Sequence, residues 1–224
     1  MGKYLFSGGV LMDIAKIVYT ILYMFRKNKK QLRTFNFRGT ELLYFEHPYN
    51  MTWKNERSIE IPIIKSWTDN VSPSKTLEIG NVFSHYFQTS HTIVDKYESR
   101  NGILQDDVIS LSFHKKFDCI FSISTMEHVG WDESPQDPTK HIKAVENLKK
   151  HLSPNGKMII TIPLGYNPHF DESIMSEKLG CTEIFYLKRI SDEEWLEVEK
   201  KEVINCKYGK PYRSANGLAV CLWE

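Results

Sequence analysis

Thr76-Leu77-Glu78-Ile79-Gly80-Asn81 is the stretch from which the rest of the 224-residue chain is read. Thr76, Leu77 and Ile79 supply a short buried strand, Glu78 sets a carboxylate near its carboxyl end, and Gly80 lets the backbone turn closely past a ligand. In an open parallel sheet, ligands sit in the crevice outside such strand ends. Downstream, Thr92–Tyr97 (TIVDKY) repeats the pattern, with three β-formers running into Asp95, 17 positions beyond Glu78. A carboxylate about 20 residues after a glycine turn is placed to accept both hydroxyls of a ribose.

Further segments continue the alternation. Ile103–Leu111 (ILQDDVISL) carries Asp106, Asp107 and Val108, and Phe117–Thr125 (FDCIFSIST) reads as a fourth buried strand ending in Met126-Glu127-His128-Val129. Ile142, Val145, Leu148 and Leu152 recur at helical spacing in Pro138–His151, which Ser153-Pro154-Asn155-Gly156 stops. Lys157–Pro163 (KMIITIP) makes a fifth strand, opening on Leu164–His169 at the same rim, so Tyr166, Asn167 and His169 point to a substrate. Glu183–Ile190 is strand-like, Ser191 with Glu194 forms a capping box for a helix through Trp195, and Gly217–Glu224 is a last strand.

This ordered set resembles the class I S-adenosylmethionine-dependent methyltransferases, small-molecule type, from about Ser74 to the C-terminus. Gly80 fills the first glycine position of their first motif, while Val82 and Ser84 stand where the second and third are usual. Glu127-His128-Val129 is similar to a sequence many of them carry directly after the fourth strand. The resemblance implies an α/β, Rossmann-like, seven-stranded, mostly parallel sheet of order 3-2-1-4-5-7-6, strand 7 antiparallel, with helices on both faces. It also implies S-adenosyl-L-methionine as cofactor, held by Glu78, Gly80, Asn81, His85, Asp95, Lys96, Asp107, Val108, Ser124 and Thr125. Asp95 would take the ribose, Asp107 the adenine amino group and Val108 the ring face, with Ser122, Ser124 and Thr125 as the floor. Glu127, His128, Tyr166 and His169 are the candidate catalytic residues, His128 as general base for a hydroxyl or as a structural residue opening a helix. By the same layout, Tyr49, Trp53, Glu56 or Arg57, on a helix before the first strand, could approach the methionine end or the substrate. Ile61, Ile63 and Ile64, around Pro62, give that helix an apolar face.

Composition sets the limits. With 41% hydrophobic residues, the length suits one sizeable domain, taken as 41–224, after an N-terminal helix and basic arm over 1–40. That arm holds eight Lys/Arg against Asp13 alone, which leaves 21 basic and 27 acidic side chains elsewhere, a net charge of −6. An acidic body is a poor match to nucleic acid. Cys119, Cys181, Cys206 and Cys221 form no CxxC pair and read as reduced, cytosolic thiols, with no zinc constellation and no other metal site. Val10–Phe25 is apolar apart from Asp13, Lys16 and Thr20, which share one helical face, and the basic run Arg26–Lys30 follows it. Charges in its middle argue against a spanning helix, and no small-residue cleavage site marks a signal peptide. Residues 10–33 fit docking on the chain's own sheet, on a second copy in a homodimer, or in plane on an anionic inner leaflet from the cytoplasm.

The expected activity is O-methylation of a small polar acceptor such as a sugar or glycan hydroxyl. The alternatives are an N-methyltransferase, or a protein of this fold that binds the cofactor without transferring methyl. A base methyltransferase is disfavoured, since the fourth strand carries neither an Asn-Pro-Pro-Tyr type sequence nor a Pro-Cys pair.

Overall fold

The computed structural model describes residues 19–21, 23–24 and 32–224. Eight strands build its central sheet: β3 (Thr76–Ile79), β4 (Thr92–Asp95), β5 (Ile103–Gln105), β6 (Phe117–Ile123), β7 (Leu152–Pro163), β8 (Glu183–Arg189), β9 (Trp195–Val198) and β10 (Gly217–Trp223). They form one eight-stranded sheet of order β5-β4-β3-β6-β7-β10-β8-β9. β3 runs parallel to β4 and β6, and β7 parallel to β6, while β10 inserts antiparallel between β7 and β8. The first seven places reproduce the expected order, with the last strand of the chain antiparallel.

The eighth place corrects the sequence reading. Instead of opening a helix through Trp195, Ser191 and Glu194 close a hairpin: the Ile190 amide donates to the Glu194 carbonyl, and the Ser191 hydroxyl donates to the Glu194 carboxylate at 3.0 Å. Trp195 then pairs with Arg189, and Leu196 with Lys188, extending the sheet by one antiparallel edge strand. The connection between β3 and β4 holds a one-turn 3₁₀ segment, Phe83–His85.

Period-2 alternation divides the core between the two faces of the sheet. Ile120, Met158, Ile160, Ala219 and Cys221 face one side, where α2 (Lys140–Lys149) and α3 (Pro168–Met175) cover them with Ala144, Val145, Leu148, Phe170 and Ile174. Cys119, Phe121, Ile159, Val220 and Leu222 face the other, under α1 (Arg57–Thr68). A small hairpin of β1 (Thr34–Phe37) and β2 (Thr40–Leu43) adds Phe35 and Phe37 to that second core. α1 tolerates Pro62 in its interior because the Ser58 carbonyl, deprived of its helical donor, accepts the Phe45 amide at 2.8 Å.

Most of the apolar Val10–Phe25 stretch and the basic run after it lie outside the described residues. Residues 19–21, 23 and 24 are helical, and the Tyr23 ring stacks on Trp53 at 6.0 Å. No helix among the described residues is long and apolar enough to cross a membrane.

Phe121 is fully buried at the centre of the sheet. Phe121→Ala should therefore cost about 3–5 kcal/mol of unfolding free energy in urea titrations, and a loss below 1 kcal/mol would contradict this packing.

Candidate active site

The site starts from a buried anion. Glu78 is 0% exposed, yet its Oε1 accepts the Val82 and Phe83 amides at 2.8 and 2.9 Å, and its Oε2 lies 2.6 Å from His91 Nε2. The carboxylate therefore acts on the loop backbone rather than on a ligand. Gly80 alone in the turn has a left-handed backbone (φ +82), and a Cβ there would meet Thr125 Oγ1 at 2.2 Å. Val82 keeps an ordinary φ of −110, so glycine is not needed at that position.

Next to this turn, the ends of β3, β4 and β6 and the segment after β5 enclose a cleft of about 550 Å³. Gly80, Asn81, Asp95, Lys96, Asp107, Val108, Ser124, Thr125 and His128 line it. Asp95 Oδ1 caps its own turn through the Tyr97 and Glu98 amides, both 2.8 Å, while Oδ2 takes the Asn81 amide at 3.2 Å. The Asn81 side chain is fixed by donating to Glu98 at 2.8 Å. His85 lies outside the cleft with its ring stacked on Tyr49 at 4.9 Å. Ser122, expected on the floor, is fully buried and donates to the Ile79 carbonyl.

Four charged side chains form a lattice along one wall. Lys140 bridges Asp107 and Glu133 at 2.7 and 2.6 Å, and Lys96 bridges the same two carboxylates at 2.9 Å each. Burial works to raise the Asp107 pKa, but the hydrogen bonds from Lys140 and Lys96 outweigh it and hold it at about 2. Asp95, Glu98, Asp106, Asp107, Asp132 and Glu133 line the cleft with Lys96, and Lys140 pairs with two of these acids, so the site stays net acidic, which favours a cationic ligand and disfavours a pyrophosphate.

At the open end, His128 Nδ1 lies 2.5 Å from Asp132 Oδ2, and the Tyr166 hydroxyl donates to the same oxygen at 2.8 Å. The Tyr166 and His128 rings meet edge to face at 4.9 Å. Burial first, then Asp132, pushes the Tyr166 pKa up, so the phenol stays protonated and acts as a donor. The other ring nitrogen of His128, Nε2, is left without a contact shorter than the 3.6 Å to Glu127 Oε1 among the described residues.

Behind the cleft wall lies an acidic group that the sequence reading recognised only in part. Glu60 Oε1 accepts the Ser124 and Thr161 hydroxyls at 2.5 and 2.7 Å, while Oε2 pairs with Arg57. Glu56 accepts the Ala215 amide at 3.0 Å. Glu127, 2% exposed, has its Oε1 3.6 Å from His128 Nε2, and its Oε2 is buried without a hydrogen-bond partner among the described residues. Burial pushes its pKa well above the usual value, and the charges of Glu60 and Glu56 add to the shift. Ser124, which joins this group to the cleft, has a left-handed φ of 37, uncommon for serine. His169 lies outside the cleft: Asn167 accepts its amide, and its ring is 5.9 Å from Trp131. Among the described residues, no group of three His, Cys, Asp or Glu is placed to hold a metal ion.

No protein-family profile and no curated protein matches the sequence. Solved structures resemble the chain in fold. The N-methyltransferase NodS from Bradyrhizobium japonicum WM9 is 13% identical, with 75% of this chain and 94% of that one covered at a TM-score of 0.45. An S-adenosylmethionine-dependent methyltransferase from Clostridium acetobutylicum ATCC 824 is 15% identical, with 71% and 87% covered at 0.37. The sugar N-methyltransferase KedS8 from Streptoalloteichus sp ATCC 53650 is 12% identical, with 71% and 83% covered at 0.37.

The charge lattice has a pH signature. The folded-state pKa of Asp107, about 2, lies below its ordinary 3.8, so its stabilisation is present above the ordinary value and is lost as pH falls through about 2. The melting temperature of Asp107→Asn should fall less steeply over that window than that of the wild type; parallel slopes would contradict the lattice.

Proposed function

We propose that the cleft binds S-adenosyl-L-methionine and that the chain is a methyltransferase acting on a hydroxyl of a small polar acceptor, such as a sugar or glycan. The observation that carries this reading is the placing of the His128–Asp132 pair at the mouth of the same cleft that Gly80, Asp95 and Val108 line. The cradle fits the group: the volume suits a nucleoside, and the acid-rich lining suits a sulfonium.

Asp95 Oδ2 and Asn81 take the ribose hydroxyls, Val108 packs on the adenine, and Asp107, held by its two lysines, accepts from the adenine amino group. Glu78 serves by shaping the turn. S-adenosylmethionine supplies a methyl already activated for transfer, so the protein mainly aligns the nucleophile and removes its proton. His128 Nε2 accepts that proton, Asp132 steadies the resulting imidazolium, and the Tyr166 hydroxyl holds Asp132 in place. His169 packs on Trp131 and His85 on Tyr49, outside the cleft.

A second reading is N-methylation of an amine acceptor. The four free thiols support a cytoplasmic setting, and the arm over residues 10–33 supports contact with a second copy or a membrane surface.

Calorimetry with S-adenosylhomocysteine should show binding that Asp95→Ala weakens more than tenfold. In a tritiated-methyl assay, His128→Ala should lower kcat by about 10²–10⁴ on a hydroxyl acceptor while leaving that affinity unchanged. Unchanged affinity in the first variant, or unchanged kcat in the second, contradicts the corresponding assignment. Transfer to an amine with none to its hydroxyl counterpart selects the second reading.

A further inference from the structure

Across the loop that carries Tyr166 lies a second concavity, of about 660 Å³, with the opposite charge. Lys188, Arg189, Lys207 and Lys210 line it, against a single acid, Glu202. Among the described residues none of these three lysines is in an ion pair, whereas Lys54, Lys65, Lys96, Lys140 and Lys143 all are. Arg189 is 4% exposed; its NH groups donate to the carbonyls of Arg213, Lys54 and Asp192, and the Asp192 carboxylate is 3.7 Å away. Its Nε is buried without a hydrogen-bond partner among the described residues. Unpaired like charges gathered around one hollow repel each other and are relieved by an anion.

The wall is also pre-organised. Buried Asn216 donates to the carbonyls of Lys207, Tyr212 and Ser214 at 3.2, 2.8 and 3.1 Å and accepts the Tyr212 amide at 3.0 Å, pinning the loop that carries Lys207 and Lys210. The same loop touches the first site. A Cβ on Gly165 would meet the Cys206 carbonyl at 2.5 Å and the Tyr208 amide at 2.7 Å, and the Tyr208 ring lies 5.1 Å from that of Tyr166.

We propose that this concavity binds a phosphate or diphosphate group of a small molecule, and, resting on the methyltransferase reading, that this group belongs to the acceptor whose nucleophile reaches His128. Three ammoniums around a hollow match a compact, multiply charged tetrahedral anion. A small ligand is favoured over a polyanion because the site is a bounded hollow and the chain from residue 41 onward is net acidic.

The test is calorimetric titration of inorganic pyrophosphate into the full chain at low ionic strength, with S-adenosylhomocysteine titrated separately. Saturable pyrophosphate binding is expected, weakened at least tenfold in Lys207→Gln/Lys210→Gln and independently in Lys188→Gln, with S-adenosylhomocysteine affinity unchanged in both variants. These side chains are at least partly exposed, and equal melting temperatures would show that the variants fold. No pyrophosphate binding, or binding equal in wild type and variants, overturns the proposal. So does binding confined to anionic phospholipid vesicles or to RNA. Pyrophosphate binding without S-adenosylhomocysteine binding retains the anion site and removes the methyltransferase reading instead.

Discussion

The structure of the first cleft depends on one buried carboxylate. Glu78 has no access to water, and it is tolerable there only because two backbone amides and a histidine nitrogen satisfy it. A hydrogen bond to a charged group contributes about 1.5–3 kcal/mol, so the Val82 and Phe83 amides are held firmly at the end of β3. The loop that follows is thereby turned without further glycines, and Gly80 is left as the one position where a side chain would collide with Thr125. The degenerate glycine pattern is a consequence of this arrangement, not a defect in it.

Charge is then sorted by place. Acids dominate the cleft at the ends of β3, β4 and β6, and a further acidic group, Glu56, Glu60 and Glu127, stands behind its wall with Arg57. Basic side chains line the hollow beyond Gly165. Between the two lie His128, Asp132 and Tyr166, with Tyr208 against Tyr166, the groups able to exchange or orient a proton. A ligand lying across this boundary would meet negative potential at one end and positive at the other, which fixes its direction.

Much of this was legible in the sequence: apolar runs whose ends carry acids marked the strands, and the family resemblance implied their order. Gly80, Asp95, Asp107 and His128 could be placed on one rim without any contact information. What escaped was long-range. Lys140 lies within a helix that reads as having a solvated polar face, and only the fold carries it to Asp107, 33 positions away. Glu60 sits in the run Ile59–Ile64, whose apolar pattern hides a carboxylate that Arg57, Ser124 and Thr161 satisfy. α3 was missed although Asn167-Pro168 marks its start: the Asn167 side chain accepts two amides and proline occupies the first turn. Ser191 and Glu194 misled in the opposite sense, because a serine three residues before a glutamate also closes a hairpin when the following residues pair with a neighbouring strand.

The central claim is that the acid-lined cleft holds the nucleoside while His128 faces the transferring group. A crystal structure of the chain grown with S-adenosylhomocysteine tests it most directly. The account predicts the ribose hydroxyls on Asp95, the adenine against Val108 and the sulfur turned toward His128. Density for the nucleoside elsewhere, or a cleft that stays empty at saturating ligand, would contradict it.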